Sequence, residues 1–378
     1  MKRHRFTLAA AAAFVITVAF LSQAQAPSPA PRVQKFGVQV QSGPMDSILL
    51  KDYAPTSSLV VPETAVPKAK FPAIDVHAHS GQSDIRTPED VANWVKTMDE
   101  VGVETTVVFT GATGAAFDRQ AALFKPHGKR FQVWCSMDGT NTDAQDYAER
   151  AARELERCYR QGARGIGELT DKGSGMQRGT LPRDKRLHPD DPRLDPLWAK
   201  CAELKIPVNL HIADHPSCWQ PLGPNQERTP DFQHFNLYGK DVLSYEELIQ
   251  RRNRLLEKHP RTTFIACHLS NQGNNLAELA KALDRYPNLF VDISARDYEI
   301  GRQPRTAARF LARYKDRVLF GTDMQRDSAM YRAWWRLLET ADEFLPGRIW
   351  WRYYGLELSP DVLRALYRDN ARRLLNWQ

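Results

Sequence analysis

Short apolar runs recur along this chain, and an amphipathic stretch follows each of them. That alternation restricts the fold more than any other feature. The runs are 73 to 80 (AIDVHAHS), 103 to 110 (VETTVVFT), 131 to 138 (FQVWCSMD), 163 to 170 (ARGIGELT), 207 to 213 (PVNLHIA), 262 to 269 (TTFIACHL), 288 to 295 (NLFVDISA) and 317 to 323 (RVLFGTD). Runs of this kind fit parallel strands covered on both faces. Helical patterns lie between and after them, at 88 to 101, 115 to 127, 144 to 161, 192 to 205, 244 to 258, 275 to 286, 304 to 315 and 328 to 343. Eight such units in succession predict a closed (β/α)8 TIM barrel in the α/β class. The competing topology, a doubly wound open sheet, lacks support because no glycine-rich phosphate turn follows the first strand. Beyond Pro360, residues 361 to 375 predict an extra C-terminal helix packed on the barrel.

The N-terminus has a different texture. Residues 1 to 24 combine a basic start (MKRHR), the apolar run FTLAAAAAFVITVAFL and a small-residue cleavage site at Ala24, which together read as a signal peptide. The apolar run is short for a bilayer span, and no cysteine follows it to carry a lipid. The expectation is therefore an exported protein, periplasmic or secreted, with no stable membrane association after cleavage. Residues 25 to 70, rich in Pro, Ser and Gln, read as an extended arm ahead of a barrel domain at 71 to 378. The formal charge of +7 includes Lys2, Arg3 and Arg5 in the leader. The remaining Lys and Arg alternate with Asp and Glu on helical faces, a solvated pattern that argues against nucleic-acid binding. With 42% hydrophobic residues the chain is neither disordered nor a disulfide scaffold. Its five cysteines are odd in number, so at least one stays free. Cys135 and Cys267 sit in apolar runs and read as buried hydrophobes. Nothing in the sequence specifies an oligomeric state.

Polar residues gather at the C-terminal ends of the expected strands, the rim where such barrels build their active sites. On the first strand Asp75, His77 and His79 alternate, and a period of two would turn all three to one face with two imidazoles side by side. Glu168 lies on the fourth strand, His211 ends the fifth, His268 the sixth and Asp323 the eighth. A single strand histidine is usually structural. Several converging on one rim form a metal-ligand set.

These residues stand in motifs that resemble the amidohydrolase superfamily, in particular its second family of metal-dependent hydrolases and decarboxylases on a (β/α)8 barrel. The motifs are DVHAH (75 to 79), GIGEL (165 to 169), NLHIAD (209 to 214), ACHLS (266 to 270), LFGTD (319 to 323) and NARRLL (370 to 375). The resemblance implies that His77, His79, His211 and Asp323 hold one divalent metal ion, by donor type zinc, with manganese or iron also compatible. It implies that His268 acts on water or substrate, or binds a second metal. Glu168 stands where relatives with two metals carry a bridging carboxylated lysine. A glutamate can bridge as well, so a second metal remains open. Asp323 is the candidate proton carrier, and Asp75 an orienting or packing residue rather than a ligand.

The expected substrate is a small molecule. Lys172, Arg178, Arg183, Lys185 and Arg186 follow the fourth strand and suggest a cationic mouth for an anion. Arg296, just past the seventh strand, is a candidate substrate contact. So is Trp219, in the long segment after the fifth strand that resembles a lid. Hydrolysis of a C–O or C–N bond in a lactone, ester or amide is the first functional reading. Metal-dependent, non-oxidative decarboxylation of an aromatic or unsaturated acid is the alternative. A non-catalytic binding protein on the same barrel is a further one, which the full ligand set disfavours.

Overall fold

A computed structural model describes residues 34–35, 38–39, 43–80, 85–347 and 350–375; the leader at 1 to 24 lies outside them. Two compact units result, one up to Leu59 and one from Val60 onward. In the first, Gln34–Lys35 pairs antiparallel with Val38–Gln39, and residues 43 to 59 are exposed. Residues 60 to 70, counted with the arm by sequence, belong to the second unit. There Thr64 donates its backbone N–H and its hydroxyl to the Asp342 carboxylate, both at 2.7 Å.

Among its described residues the second unit carries eight parallel strands: β1 Ala73–His79, β2 Val103–Phe109, β3 Phe131–Trp134, β4 Ile166–Asp171, β5 Val208–Ile212, β6 Phe264–Ala266, β7 Leu289–Asp292 and β8 Val318–Leu319. β1, β2 and β3 pair in order, as do β4 to β8. The two groups meet at both seams. Cys135 pairs with Ile166 between β3 and β4, while Val76 N–H donates to the Phe320 carbonyl and Asp323 N–H to the His77 carbonyl, both at 2.9 Å, between β1 and the β8 end. Gly321 permits that last approach, since a Cβ there would lie 2.9 Å from His77 Cβ.

The flanking helices follow the sequence closely: α1 Pro88–Val101, α2 Gly114–Phe124, α3 Tyr147–Arg160, α4 Asp195–Leu204, α5 Tyr245–Lys258, α6 Leu276–Arg285, α7 Pro304–Arg313 and α8 Ser328–Glu339. Local chemistry fixes several ends. Thr87 and Asp90 form a capping box at α1, as Ser244 and Glu247 do at α5. Gly102, at φ 85°, ends α1 in the left-handed region that glycine enters without strain.

Ile74, Val76, Val107, Phe109, Trp134, Ile265 and Leu319 form an apolar cluster with Ala371 of the tail helix, which runs from Pro360 to Leu374, and with Leu375 just beyond it. Asn370 of that helix donates to the Val318 carbonyl at 2.7 Å, and Gln132 donates to the Leu375 carbonyl at 3.1 Å. The tail thus packs against the barrel strands. Polar chemistry is left to the opposite rim. Among the described residues no helix is long and apolar enough to cross a membrane.

Candidate metal centre

The first strand does not keep a strict two-residue alternation. Its register shifts between Asp75 and Ala78. As a result Asp75 leaves the face of the two histidines, which corrects the expectation that all three share it. Its buried carboxylate accepts from the Tyr331 hydroxyl of α8 at 2.8 Å, from Thr322 Oγ1 at 2.7 Å and from the His77 N–H at 3.1 Å. Burial pushes this carboxyl upward despite those donors. Asp75 therefore ties β1 to the β8 end and to α8. It is not a ligand.

His77 and His79 meet Glu168, His211, His268 and Asp323 at the rim. Glu168 Oε1 lies 2.7 Å from His211 Nδ1, 3.3 Å from His268 Nε2 and 3.7 Å from His77 Nε2, and Oε2 lies 3.6 Å from His79 Nε2. Asp323 Oδ1 lies 3.3 Å from His79 Nε2 and 3.7 Å from His77 Nε2, with Oδ2 3.7 Å from His268 Nε2. Two carboxylates thus bracket the imidazoles. Three overlapping sets among these residues, one including Cys267, place their donor atoms within 4.8 Å of one another, close enough to share an ion.

His268 reaches the centre by an unexpected route. β6 stops at Ala266, and His268, Leu269, Ser270 and Asn271 all take left-handed backbone angles, with φ between 51° and 58°. Such angles cost non-glycine residues about 1–3 kcal/mol each and persist only where the surroundings enforce them. Here Asp292 Oδ1 accepts the His268 N–H at 3.1 Å, and the Asn271 amide donates to the Ile212 and Ala213 carbonyls at 3.0 and 3.2 Å.

Residues that the sequence reading did not assign to the centre hold its rings from behind. Asp292 Oδ2 lies 3.2 Å from His77 Nδ1. The Ser294 hydroxyl lies 3.1 Å from His77 Nδ1 and 2.9 Å from His268 Nδ1, and the Ser294 carbonyl 2.8 Å from His268 Nδ1. Such partners fix the ring orientation and leave Nε2 as the presenting atom. Both lie in DIS at the end of β7, two residues apart, so the strand period was the available signal. Cys267, read as a buried hydrophobe, is buried, and its thiol also donates to Glu168 Oε1 at 3.2 Å.

The donor set fits a cation. His77 Nε2 and His211 Nε2 are buried without a hydrogen-bond partner among the described residues, a loss worth about 1–3 kcal/mol per atom if left uncompensated. Burial alone would push the His77 imidazole down, but the Asp323, Asp292 and Glu168 carboxylates outweigh it and raise it to about 10. Burial likewise opposes the charged form of Glu168, yet His211, His268 and His77 hold its carboxyl well below the usual range. His268 moves the other way, lowered by burial and by the Arg296, His211 and His77 charges. Three acidic groups therefore demand positive charge at this point, and a divalent ion would supply it where a proton on His77 otherwise does.

The structure gives both candidate substrate contacts partners within the protein. Arg296 is buried, and its guanidinium donates to the Ala295 carbonyl at 2.9 Å and to the Asn271 side chain. It also faces Glu299 at 3.5 Å and Asp214 at 3.8 Å. Carboxylates inside the protein thus face its charge. Arg296→Met should therefore leave Asp214 and Glu299 undercompensated and cost about 3–5 kcal/mol by chemical denaturation. At a temperature where both proteins stay folded, kcat/KM for the acid substrate should be retained; a loss there without a loss of stability would place Arg296 at the substrate site. Trp219 donates its indole N–H to the Leu243 carbonyl at 2.8 Å and packs on Tyr245, so it anchors the long loop. Tyr245 continues the tether, donating to the Asn271 carbonyl at 2.9 Å.

The cationic segment is also largely neutralised. Lys172 pairs with Asp214 at 2.7 Å, Lys185 with Asp143 at 3.2 Å, Arg186 with Asp241 at 2.6 Å and Arg183 with Glu247 at 4.0 Å. All five cysteines are free and buried.

Comparison with known proteins agrees with this architecture. A family model described as Amidohydrolase matches residues 64–377, and the chain belongs to that family of enzymes, the second of the amidohydrolase families. Similar solved structures include 2,6-dihydroxybenzoate decarboxylase from Rhizobium, at 20% identity and TM-score 0.51 over 82% of this chain and 99% of that one. An uncharacterized TIM-barrel protein from Bordetella bronchiseptica aligns at 20% identity and TM-score 0.50, over 81% and 98% of the two chains. A dihydroxybenzoic acid decarboxylase from Polaromonas sp. JS666, with bound manganese and the inhibitor 2-nitroresorcinol, aligns at 18% identity and TM-score 0.50, over 81% and 97%. These likenesses establish the α/β barrel fold. No curated protein matches the chain.

Proposed function

We propose that the protein is a metal-dependent, non-oxidative decarboxylase of an aromatic or unsaturated carboxylic acid, with hydrolysis of a C–O or C–N bond as the second reading. The observation that carries metal dependence is the pair of buried imidazole nitrogens without a hydrogen-bond partner among the described residues, His77 Nε2 and His211 Nε2, inside a carboxylate-rich rim. The decarboxylases among the similar folds, one of them with manganese, support placing decarboxylation ahead of the hydrolysis that sequence puts first. Hydrolysis keeps the support of the family as a whole.

In this reading His77, His79, His211 and Asp323 hold the ion, zinc or manganese, and Glu168 holds His211 in place. When bound, the ion supplies Lewis acidity at the rim. Asp292 and Ser294 keep the His77 and His268 rings aimed at the centre. The substrate enters as its carboxylate, and Asp323 relays a proton drawn from water. The bond between carbon and the carboxylate breaks, its electron pair stays on the carbon, carbon dioxide leaves, and the relayed proton is added to that carbon. For hydrolysis Asp323 would instead pass the water proton to the leaving group. Residues 1 to 24 support placing the enzyme outside the cytoplasm.

Carboxyl-labelled aromatic acids, 2,6-dihydroxybenzoate first, test the order of the two readings. Labelled carbon dioxide should appear with the metal-loaded protein, vanish with chelator and return with manganese or zinc. New acid or amine from lactones and amides, with no carbon dioxide from any acid in the panel, would put hydrolysis first.

A further inference from the structure

Arg252 is a buried cation outside the metal centre. It projects from α5, is 1% exposed, and among the described residues has no carboxylate partner. Its bonds go to neutral groups instead. Nη1 donates to the Ser270 hydroxyl and to Gln272 Oε1, the latter at 2.7 Å, while Nη2 and Nε donate to Asn253 Oδ1 at 2.8 and 3.2 Å. A charge taken out of water without an opposite charge beside it is costly, and burial pushes this guanidinium down, to about 10. An apolar side chain would fill the space at lower cost. What the guanidinium adds is a grip on the turn that carries His268.

Residues 268 to 271 all take left-handed backbone angles, and none of them is glycine, so the turn must be held by its surroundings. It closes on itself, the Asn271 N–H donating to the His268 carbonyl at 2.9 Å and the Gln272 N–H to the Leu269 carbonyl at 3.0 Å. Asp292 pins its first residue. Its far half meets α5. Tyr245 lies seven residues before Arg252, two turns back on the same helix face, and its hydroxyl donates to the Asn271 carbonyl at 2.9 Å. Ser270, Asn271 and Gln272 therefore all bond to that one face. Movement there passes through the two closing hydrogen bonds to His268, whose Nε2 faces Glu168 and Asp323 at 3.3 and 3.7 Å.

We propose that Arg252 is a positioning residue for the reaction: anchored on α5, its guanidinium fixes the turn so that the His268 ring keeps its aim at the metal centre. The proposal rests on His268 acting on substrate or water in the proposed reaction. It adds a residue away from the rim on which that action depends.

Arg252→Met, unbranched and without the charge, tests this in the zinc-loaded protein. Metal content should match that of the natural protein, since no donor at the centre changes. Ring position is read by NMR of protein labelled with 15N-histidine, the His268 signals being identified by their loss in His268→Ala. In Arg252→Met those signals should shift or broaden while the His77, His79 and His211 signals stay. Carbon dioxide release should fall about ten-fold or more in kcat, with KM near its natural value, as for a misplaced proton-transfer group. In the His268→Ala background the same change should cost less than about two-fold more, because the group through which Arg252 acts is gone. Arg252→Lys keeps the cation without the fork and should recover part of the loss. Ser270→Ala removes an acceptor rather than the donor, with a smaller change in volume. It should repeat the pattern, and it carries the test if Arg252→Met does not fold.

Unmoved His268 signals in both variants overturn the proposal. So do moved signals with equal losses of kcat in the presence and absence of His268, since Arg252 would then act on the fold at large. Failure of the decarboxylase reading shows separately, as a natural protein that releases no carbon dioxide from any acid in the panel. The same cycle is then read on lactone or amide hydrolysis, and the His268 signals decide in either case whether Arg252 sets the ring.

Discussion

Replacing His77, His79 or His211 with alanine is expected to lower bound metal from about one ion per chain to a small fraction of that, and turnover with it. Each change removes one donor from a centre that needs three or four. The surrounding charges enlarge the effect. Glu168, Asp292 and Asp323 stay where they are, and in His77→Ala the imidazole that faces all three carboxylates is gone. Asp292→Asn is the graded control. It touches His77 Nδ1 and the His268 backbone from behind, so metal affinity should fall only about 10- to 100-fold. Elemental analysis of the purified variants reads both effects, and wild-type metal in all three alanine variants would remove the assignment.

The scaffold was legible because its signals are local and repeated. Every expected barrel strand forms, and α1 keeps the predicted bounds, since Thr87, Pro88 and Gly102 mark its ends with capping chemistry that needs no tertiary context. The convergence of His77, His79, Glu168, His211, His268 and Asp323 was legible as well, because strand order in a barrel places strand ends on one rim.

What escaped the sequence depends on packing. The shift within β1 that parts Asp75 from His77 leaves no mark in a run that still reads as alternating. The end of β6 at Ala266 was hidden by CHLS, apolar enough to prolong a strand, whose left-handed turn is imposed by Asp292 and Asn271. Arg296 looked available because its partners come from distant segments, Asp214 after β5 and Asn271 after β6, alongside Glu299 nearby. The tie of Trp219 was hidden for the same reason, its acceptor being the Leu243 carbonyl at the far end of the loop. A cationic residue near a rim carries information about substrate only after its internal partners are known.

One ion or two is decided by His268 and Glu168, and here the expected loss is in turnover rather than metal. His268→Ala should retain about one ion per chain while kcat falls 10²- to 10⁴-fold, the range for removing a group that moves a proton in the reaction. The structure makes that separation possible because His268 Nε2 faces both Glu168 and Asp323, at 3.3 and 3.7 Å, while its Nδ1 is engaged by Ser294. Glu168→Ala is the complementary case. It removes the carboxylate that meets His211 Nδ1 and frees that ring to turn, so affinity should weaken without abolishing a site held by His77, His79 and Asp323. A centre with two ions answers differently, since His268, His211, Cys267 and Glu168 would then hold the second ion, and either change would lower the stoichiometry from about two toward one. Metal counting on His268→Ala therefore discriminates: one ion kept with turnover lost assigns His268 to the chemistry, and an ion lost with it assigns His268 to a second metal.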